Sequence, residues 1–188
     1  MTPAGGGFDP RAILSALEAN YVDYVLIGGL AQVLRGVDVI THGVDICPSF
    51  GRGNLDRLTP AVADLGARSG RRLAGAITVD RLQEPVVRLG TSAGELGIVG
   101  APAGVPNGFV DLRRAATRED LGAGVRPLVA ASGDLAAMAA ALHRTKDLER
   151  LPKLRRIVEL EVIRQPTAAG ATPARPGRTR RTGRAISP

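Results

Sequence analysis

The segment that most constrains the fold of this chain is residues 24–47. It opens with a short apolar run, 24–27, whose β-branched and aromatic residues lead directly into the pair Gly28-Gly29. This order predicts a strand that turns sharply into a short helix. A second strand-like segment closes the stretch and contains one carboxylate, Asp45.

The glycine pair and Asp45 together suggest a ligand site. Glycine lets the backbone turn tightly and lets a ligand approach it closely. The free N–H groups at a helix start favour phosphate, and a carboxylate beside bound phosphates is typical of a magnesium–nucleotide site. Two alternatives stay open: Gly28 and Gly29 can mark only a tight strand–helix junction, and Asp45 can be a solvent-facing or hydrogen-bonded strand residue.

The same segment resembles the signature of the nucleotidyltransferase superfamily, in its small, mostly prokaryotic branch related to abortive-infection toxins. The family pattern is a strand, Gly-Gly, a helix and a strand with Asp-hydrophobic-Asp, followed by a third carboxylate on a later strand. Aligned with this pattern, the aspartate pair falls on Gly43 and Asp45, and the third carboxylate falls on Gly97. Of these three positions only Asp45 is acidic.

The resemblance implies transfer of a nucleoside monophosphate from a nucleoside triphosphate to a hydroxyl group on a protein, an RNA or a small molecule. It assigns the triphosphate to Gly28 and Gly29, and magnesium and catalysis to Asp45. In the family, carboxylates two residues apart on a strand share one face and hold two magnesium ions. With glycine at positions 43 and 97, we expect transfer to be weak or absent, as in a pseudoenzyme. The alternative is a non-catalytic nucleotide-binding or partner-binding module of a toxin–antitoxin-like system.

Two further residues are candidates for the same site. Glu95 lies two residues before Gly97 and shares its strand face, so it is a second candidate metal ligand, displaced by about 6–7 Å along the strand. Lys146, in the pair Lys146-Asp147, matches a lysine that in this branch faces the nucleotide phosphates. Ala139 stands where the family commonly has another lysine, and a solvated helix face is the alternative for the Lys-Asp pair.

Composition limits the class of protein. The 188 residues, 44% of them hydrophobic, are enough for one domain with a substantial core. No apolar run approaches the ~20 residues of a membrane span, and the N-terminus has no signal-peptide pattern. A single cysteine, Cys47, allows no internal disulfide, which is typical of a cytoplasmic protein.

The basic character of the chain is concentrated at its C-terminus. Residues 167–188 contain five arginines and no acidic residue, and so account for five of the seven net positive charges. Because this segment has few side chains to bury, we expect a disordered basic tail that either contacts nucleic acid electrostatically or serves only as a solubilising extension. The predicted organisation is a flexible leader (1–8), a nucleotidyltransferase-like domain (9–166) and this tail (167–188).

Hydrophobic periodicity and turn residues predict an α/β (α+β) fold, a mixed β-sheet of about five strands flanked by helices. The five predicted strands are 21–27, 44–47, 85–89, 96–99 and 125–130, and 77–79 is a strand-like piece within the weakly patterned segment 68–84. The predicted helices are 10–20, 29–34, 54–65, 109–116, 132–142, 146–151 and 153–163. Asn54 and Ser132 are expected to cap their helices. Pro60 is expected to kink or restart its helix, and Pro152 to separate the last two.

Overall fold

A computed structural model describes residues 7–69, 72–73 and 86–164, which form one mixed sheet flanked by helices. The strands are β1 (Tyr24–Ile27), β2 (Gly43–Pro48), β3 (Arg68–Ser69), β4 (Arg72–Leu73), β5 (Val87–Thr91), β6 (Gly94–Ile98), β7 (Thr117–Arg118) and β8 (Leu128–Val129). The helices are α1 (Pro10–Ala19), α2 (Gly28–Leu34), α3 (Arg52–Asp64), α4 (Phe109–Ala115), α5 (Ser132–Leu142) and α6 (Thr145–Arg164). This architecture confirms the predicted fold class.

The sheet is wider than the five strands predicted. Across the described residues its order is β4-β3-β5-β6-β2-β1-β8-β7, and the extra width comes from two-residue strands at both edges. In the centre, β1 is antiparallel to β2, β2 is parallel to β6, and β6 is antiparallel to β5. The strand-like piece 77–79 and the tail 167–188 lie outside the described residues, as does most of the leader.

The start of α1 follows the predicted signals. Asp9 caps the helix, its Oδ1 accepting a hydrogen bond from the Ala12 N–H at 3.0 Å, and Pro10 occupies the first turn. Three apolar residues at helical spacing, Ile13, Leu14 and Leu17, are then fully buried. Local capping and the hydrophobic pattern agree here, so the helix forms where the sequence places it.

The expected cap at Asn54 is wrong, because tertiary contacts use this side chain. Asn54 lies inside α3 and is buried. Its amide group accepts from the Asp23 N–H at 2.6 Å and donates to the carbonyl oxygens of Asp23 and Ser49, each at 2.9 Å. These bonds join the start of β1 to the end of β2. The helix also continues through Pro60, since several buried side chains in the same helix outweigh one lost backbone bond.

Two expectations about the C-terminal helices are also wrong. Ser132 is the first residue of α5 and no cap; its hydroxyl donates to Glu161 Oε1 of α6 at 2.7 Å. Pro152 does not divide the last helix, and α6 runs unbroken from Thr145 to Arg164. The extensive packing of α5 against α6 supports the helix around the proline.

The predicted strands at 21–27 and 125–130 are shorter than expected. Within these two ranges, only the residues of β1 and β8 form strands. The predicted hairpin is present, β5 and β6 being joined by a turn at Ser92 and Ala93. Along β2, Val44 and Ile46 are fully buried while Gly43 and Asp45 are partly exposed. Since strand side chains alternate, Asp45 projects from the opposite face to these two apolar residues.

Arg35, which follows α2, fixes that helix to the edge of the sheet. Its guanidinium donates to Glu119 at 2.6 Å and to the carbonyl oxygens of Val129 and Ala130 at 2.7 and 2.9 Å. In the described ranges, no helix combines the length and apolar character needed to cross a membrane.

Candidate functional site

Four residues form a row across the centre of the sheet. Ile27 pairs with Asp45, Asp45 with Gly97, and Gly97 with Arg88. Directly paired residues on neighbouring strands project from the same face. All but Gly97 line one cleft, which lies between this face and helices α5 and α6.

The Asp45 carboxylate lies between two glycines. A Cβ atom at Gly28 would collide with Asp45 Oδ2, and one at Gly97 would collide with Asp45 Oδ1. Gly28 also has a φ of +69°, which glycine adopts readily. The two missing side chains therefore leave the space that Asp45 occupies, and a phosphate directly over Gly28 would meet a negative charge.

Arg88 connects the two acidic candidates. Its Nη1 atom lies 3.2 Å from Asp45 Oδ1 and 2.6 Å from Glu95 Oε1. The same atom would lie 3.3 Å from a Cβ at Gly97, so the guanidinium extends across the face of that glycine. Asp45 is the least accessible of the three side chains, 22% exposed against 47% for Arg88 and 51% for Glu95.

Burial has the largest effect on the pKa of the Asp45 carboxyl group. It raises the pKa of this carboxyl group above its ordinary value, and the negative charge of Glu95 acts in the same direction. Arg88 opposes the shift, as do Lys146 and Arg144 more weakly. A titratable group with a raised pKa in a cleft is a common property of functional sites.

The opposite wall of the cleft is basic. Arg144, Lys146 and Arg150, at or near the start of α6, line it, as does Asp147. Asp147 is buried and forms a salt bridge with the Arg144 side chain. Lys146 is exposed and in the described part of the chain forms no salt bridge. Among the described residues, four basic side chains, counting Arg88, and two acidic ones, Asp45 and Asp147, face this space.

The remaining wall is apolar. Side chains from α5, from the residue before β5 and from the segment after β6 form it: Val86, Val99, Ala101, Pro102, Ala103, Leu135, Met138, Ala139 and Leu142. A cleft with charged groups at one side and apolar groups at the other is typical of a small-molecule site.

The structure brings most of the sequence candidates together. Gly28, Gly29, Asp45 and Lys146 all line the same cleft. Glu95 is not among the residues that line this cleft, and it is connected to the cleft by its salt bridge with Arg88. Gly29 is itself closely covered, because a Cβ there would lie 2.8 Å from the hydroxyl oxygen of Thr41.

Sequence reasoning missed Arg88, Arg144 and Arg150. A signal for Arg88 was present, since pairing the predicted strands 85–89 and 96–99 at their inner ends places residue 88 opposite Gly97. Arg144 and Arg150 carried no comparable signal, because only the packing of α6 brings them to the cleft.

The carboxylates present do not fit a two-magnesium centre. Among residues 7–69, 72–73 and 86–164, no group of three acidic, histidine or cysteine side chains could hold a metal ion. Asp45 is already paired with Arg88, and positions 43 and 97 have no side chain. Two-ion catalysis needs carboxylates that hold both ions on either side of the reacting phosphate, and this donor set lacks them.

Comparisons with known proteins gave limited likeness. No protein-family model and no curated protein matches the chain. Among solved structures, the antibiotic-resistance factor ANT(2'')-Ia is 15% identical, with 81% of this chain and 93% of that chain covered and a TM-score of 0.45. TM1012, a proposed nucleotidyltransferase from Thermotoga maritima, is 18% identical, with 82% and 87% covered and a TM-score of 0.41. Because both TM-scores lie below 0.5, this likeness by itself assigns neither family nor activity.

Proposed function

We propose that this chain is a nucleotidyltransferase-like protein that binds a nucleoside triphosphate in the cleft beside Asp45, with nucleotidyl transfer weak or absent. The observation that carries the proposal is the Asp45 carboxylate in its cleft, placed between Gly28 and Gly97 and paired with Arg88. The nucleotidyltransferase superfamily, which the sequence resembles, has several carboxylates at this place. The described strands contribute one, Asp45, to the cleft, and one carboxylate is better suited to nucleotide binding than to catalysis.

The electrostatics of the cleft support a phosphate ligand. Arginine and lysine are the side chains that bind phosphate most strongly, through charge-assisted hydrogen bonds. Lys146 and Arg150 lie on the wall across from the sheet, beside the Arg144–Asp147 pair. A polyphosphate lying along this wall would contact Lys146 and Arg150 without direct contact with the Asp45 carboxylate.

The apolar wall supports a second part of the ligand. Leu135, Met138 and Leu142 of α5 lie in the same cleft as the basic side chains. Flat aromatic groups bind well against such aliphatic and thioether surfaces. A nucleotide combines both features, with an anionic end and a flat base, so it matches the cleft better than inorganic phosphate or an apolar ligand does.

Transfer to a hydroxyl acceptor requires removal of the acceptor proton and stabilisation of charge on the phosphorus being attacked. The paired Asp45 is the one strand carboxylate facing the cleft within the described residues, and it is held by Arg88. We therefore expect nucleotide binding to exceed by far any transfer that can be detected.

The test is a binding and labelling screen with ATP, GTP, CTP and UTP. At least one nucleotide is expected to raise the melting temperature, because a ligand that binds only the folded state stabilises it. Labelling with the corresponding [α-³²P] nucleotides should give little or no transfer. Strong transfer by the wild type would contradict the proposal, and if it survived Asp45→Ala the chemistry would lie elsewhere in the chain. The absence of any nucleotide binding would also contradict the proposal.

Two lysines of α6 provide a matched comparison. Lys146→Ala removes a charge from the cleft and is expected to weaken nucleotide binding about tenfold, the effect of one charge-assisted hydrogen bond. Lys153 is exposed on the same helix and does not line the cleft, so Lys153→Ala should leave the Kd unchanged. Equal effects of the two substitutions would place the ligand elsewhere.

A further inference from the structure

Arg88 occupies the position on the sheet face where a bound cation would neutralise Asp45 and Glu95. Its Nη1 atom contacts both carboxylates, at 3.2 and 2.6 Å. The strand register explains the contact, because Arg88 is opposite Gly97, and Glu95 lies on the same face two residues earlier in β6. A side chain at position 97 would crowd the guanidinium, so glycine leaves the path to Asp45 open.

We infer that Arg88 supplies, as part of the chain, the positive charge that a divalent ion would otherwise supply, so that the cleft binds a nucleoside triphosphate without a divalent metal. This inference rests on the proposed function and specifies its chemistry. The arginine charge is permanent at physiological pH, and its planar guanidinium directs donors to both carboxylates at once.

A divalent ion would compete poorly with this arrangement. Magnesium binds to one or two carboxylates while keeping several waters. To reach Asp45 it would have to displace the guanidinium, and two positive groups a few ångströms apart repel each other. Glu95 is also displaced along its strand, being paired with Gly43 and not with Asp45.

Basic residues on the opposite wall add positive charge to a metal-free site. Lys146 and Arg150 face the same cleft, beside Arg144 in its salt bridge with Asp147. A metal-free triphosphate carries more negative charge than its magnesium complex, so a site built from basic side chains should bind the free form at least as tightly. Selectivity for the metal-free nucleotide distinguishes this cleft from a site in which the metal is a required ligand.

The experiment measures the Kd of ATP, GTP, CTP and UTP by isothermal titration calorimetry, once with EDTA and once with magnesium chloride. The wild type is expected to bind at least as tightly in EDTA as in magnesium. Binding that requires magnesium would overturn the inference and leave the proposed function standing. Absence of binding in both buffers would overturn the proposed function and the inference with it.

Three variants test the role of Arg88. Arg88→Gln leaves Asp45 and Glu95 unneutralised, so binding in EDTA should weaken by about 10- to 100-fold, and magnesium should restore part of it. Arg88→Lys keeps the charge and should retain binding in EDTA. Arg114→Gln, on α4 and outside the cleft, is the matched control and should bind like the wild type.

The melting temperature of each variant without nucleotide separates binding from folding. Arg88→Gln binding as tightly in EDTA as the wild type would overturn the inference. If Arg88→Gln fails to fold, the wild type and Arg88→Lys still test whether the nucleotide binds without a divalent metal. Magnesium-dependent binding by either of these two would refute metal-free recognition.

Discussion

The Asp45 carboxylate occupies the space that a Cβ atom at Gly97 would need, and Gly97 is its direct partner in the parallel β2–β6 pair. At position 97, where the family resemblance predicts a third carboxylate, the glycine has no side chain, and neighbouring side chains fill the space beside it. Asp45 and the Arg88 guanidinium share that space. Replacing Gly97 requires both groups to move, which couples the stability of the sheet to the chemistry of the cleft.

Gly28→Ala is expected to destabilise the protein more than Gly36→Ala. Both glycines have a positive φ, +69° and +89°, and a Cβ there costs about 1–2 kcal/mol. Only at Gly28 would that Cβ also meet Asp45, adding about 1–3 kcal/mol of overpacking. Urea unfolding of the two variants measures the difference. Equal losses would show that Asp45 moves aside at little cost.

Asp45→Asn is expected to be at least as stable as the wild type at pH 7. Burial raises the pKa of Asp45 above its ordinary value of 3.8, so the folded state holds this proton more tightly than the unfolded state. The contribution of Asp45 is therefore most favourable below pH 4 and is lost as pH rises towards the folded pKa. Asparagine avoids that loss.

Melting temperatures at pH 3.5 and pH 7 check this expectation. The advantage of Asp45→Asn should shrink at pH 3.5, where the wild-type group is itself mostly protonated. Asp56→Asn, exposed on α3, is the control and should change little at either pH. A loss of stability at pH 7 in Asp45→Asn would show that the Arg88 ion pair outweighs the cost of burial.

Introducing aspartates at positions 43 and 97 should create a metal site only when Arg88 is also removed. In the variant Gly43→Asp with Gly97→Asp, the Asp45 carboxylate must move aside to admit the side chain at position 97, and the Arg88 guanidinium still competes for the three carboxylates. Adding Arg88→Gln should tighten Mn²⁺ binding about tenfold or more, because ligands of one site act jointly.

Water-proton relaxation measures the Mn²⁺ affinity of the double and triple variants. Adding Asp45→Ala to the triple variant should abolish the gain. Equal affinities for the double and triple variants would show that Arg88 does not hinder metal binding.

Cys47 should be inert to thiol reagents in the folded protein. Its side chain is fully buried, and burial raises the pKa of the thiol to about 12. The thiolate is the reactive form, so labelling by iodoacetamide at pH 8 should be slow in buffer and rapid in denaturant. Mass spectrometry counts the labels. Rapid labelling of the native protein would show that β2 opens readily.

Removal of residues 167–188 is expected to change the melting temperature by no more than about 2 °C, because this segment has few side chains to bury. The sequence provides this prediction, and the truncated chain tests it directly by differential scanning calorimetry. A larger fall would move the predicted domain boundary of residue 166.

Local signals predicted much of the backbone correctly. The cap and proline at Asp9-Pro10 located α1, and the glycine pair at Gly28-Gly29 located the junction between β1 and α2. The same kind of reasoning failed for Asn54 and Ser132. Each side chain could cap a helix, but in the fold each finds a partner from a distant segment. Capping propensity depends on neighbouring residues, so it does not predict hydrogen bonds to partners that are distant in the sequence.

The sequence by itself determined the α/β class, the order of the central elements along the chain and the glycine junction between β1 and α2. These depend on periodicity, turn chemistry and the alternation of strand side chains, which are properties of neighbouring residues. Only the tertiary structure decided that Arg88 bridges Asp45 and Glu95, and that the start of α6 forms a basic wall opposite them. The charge environment of a carboxylate depends on groups far away in the chain, and folding alone brings those groups within a few ångströms.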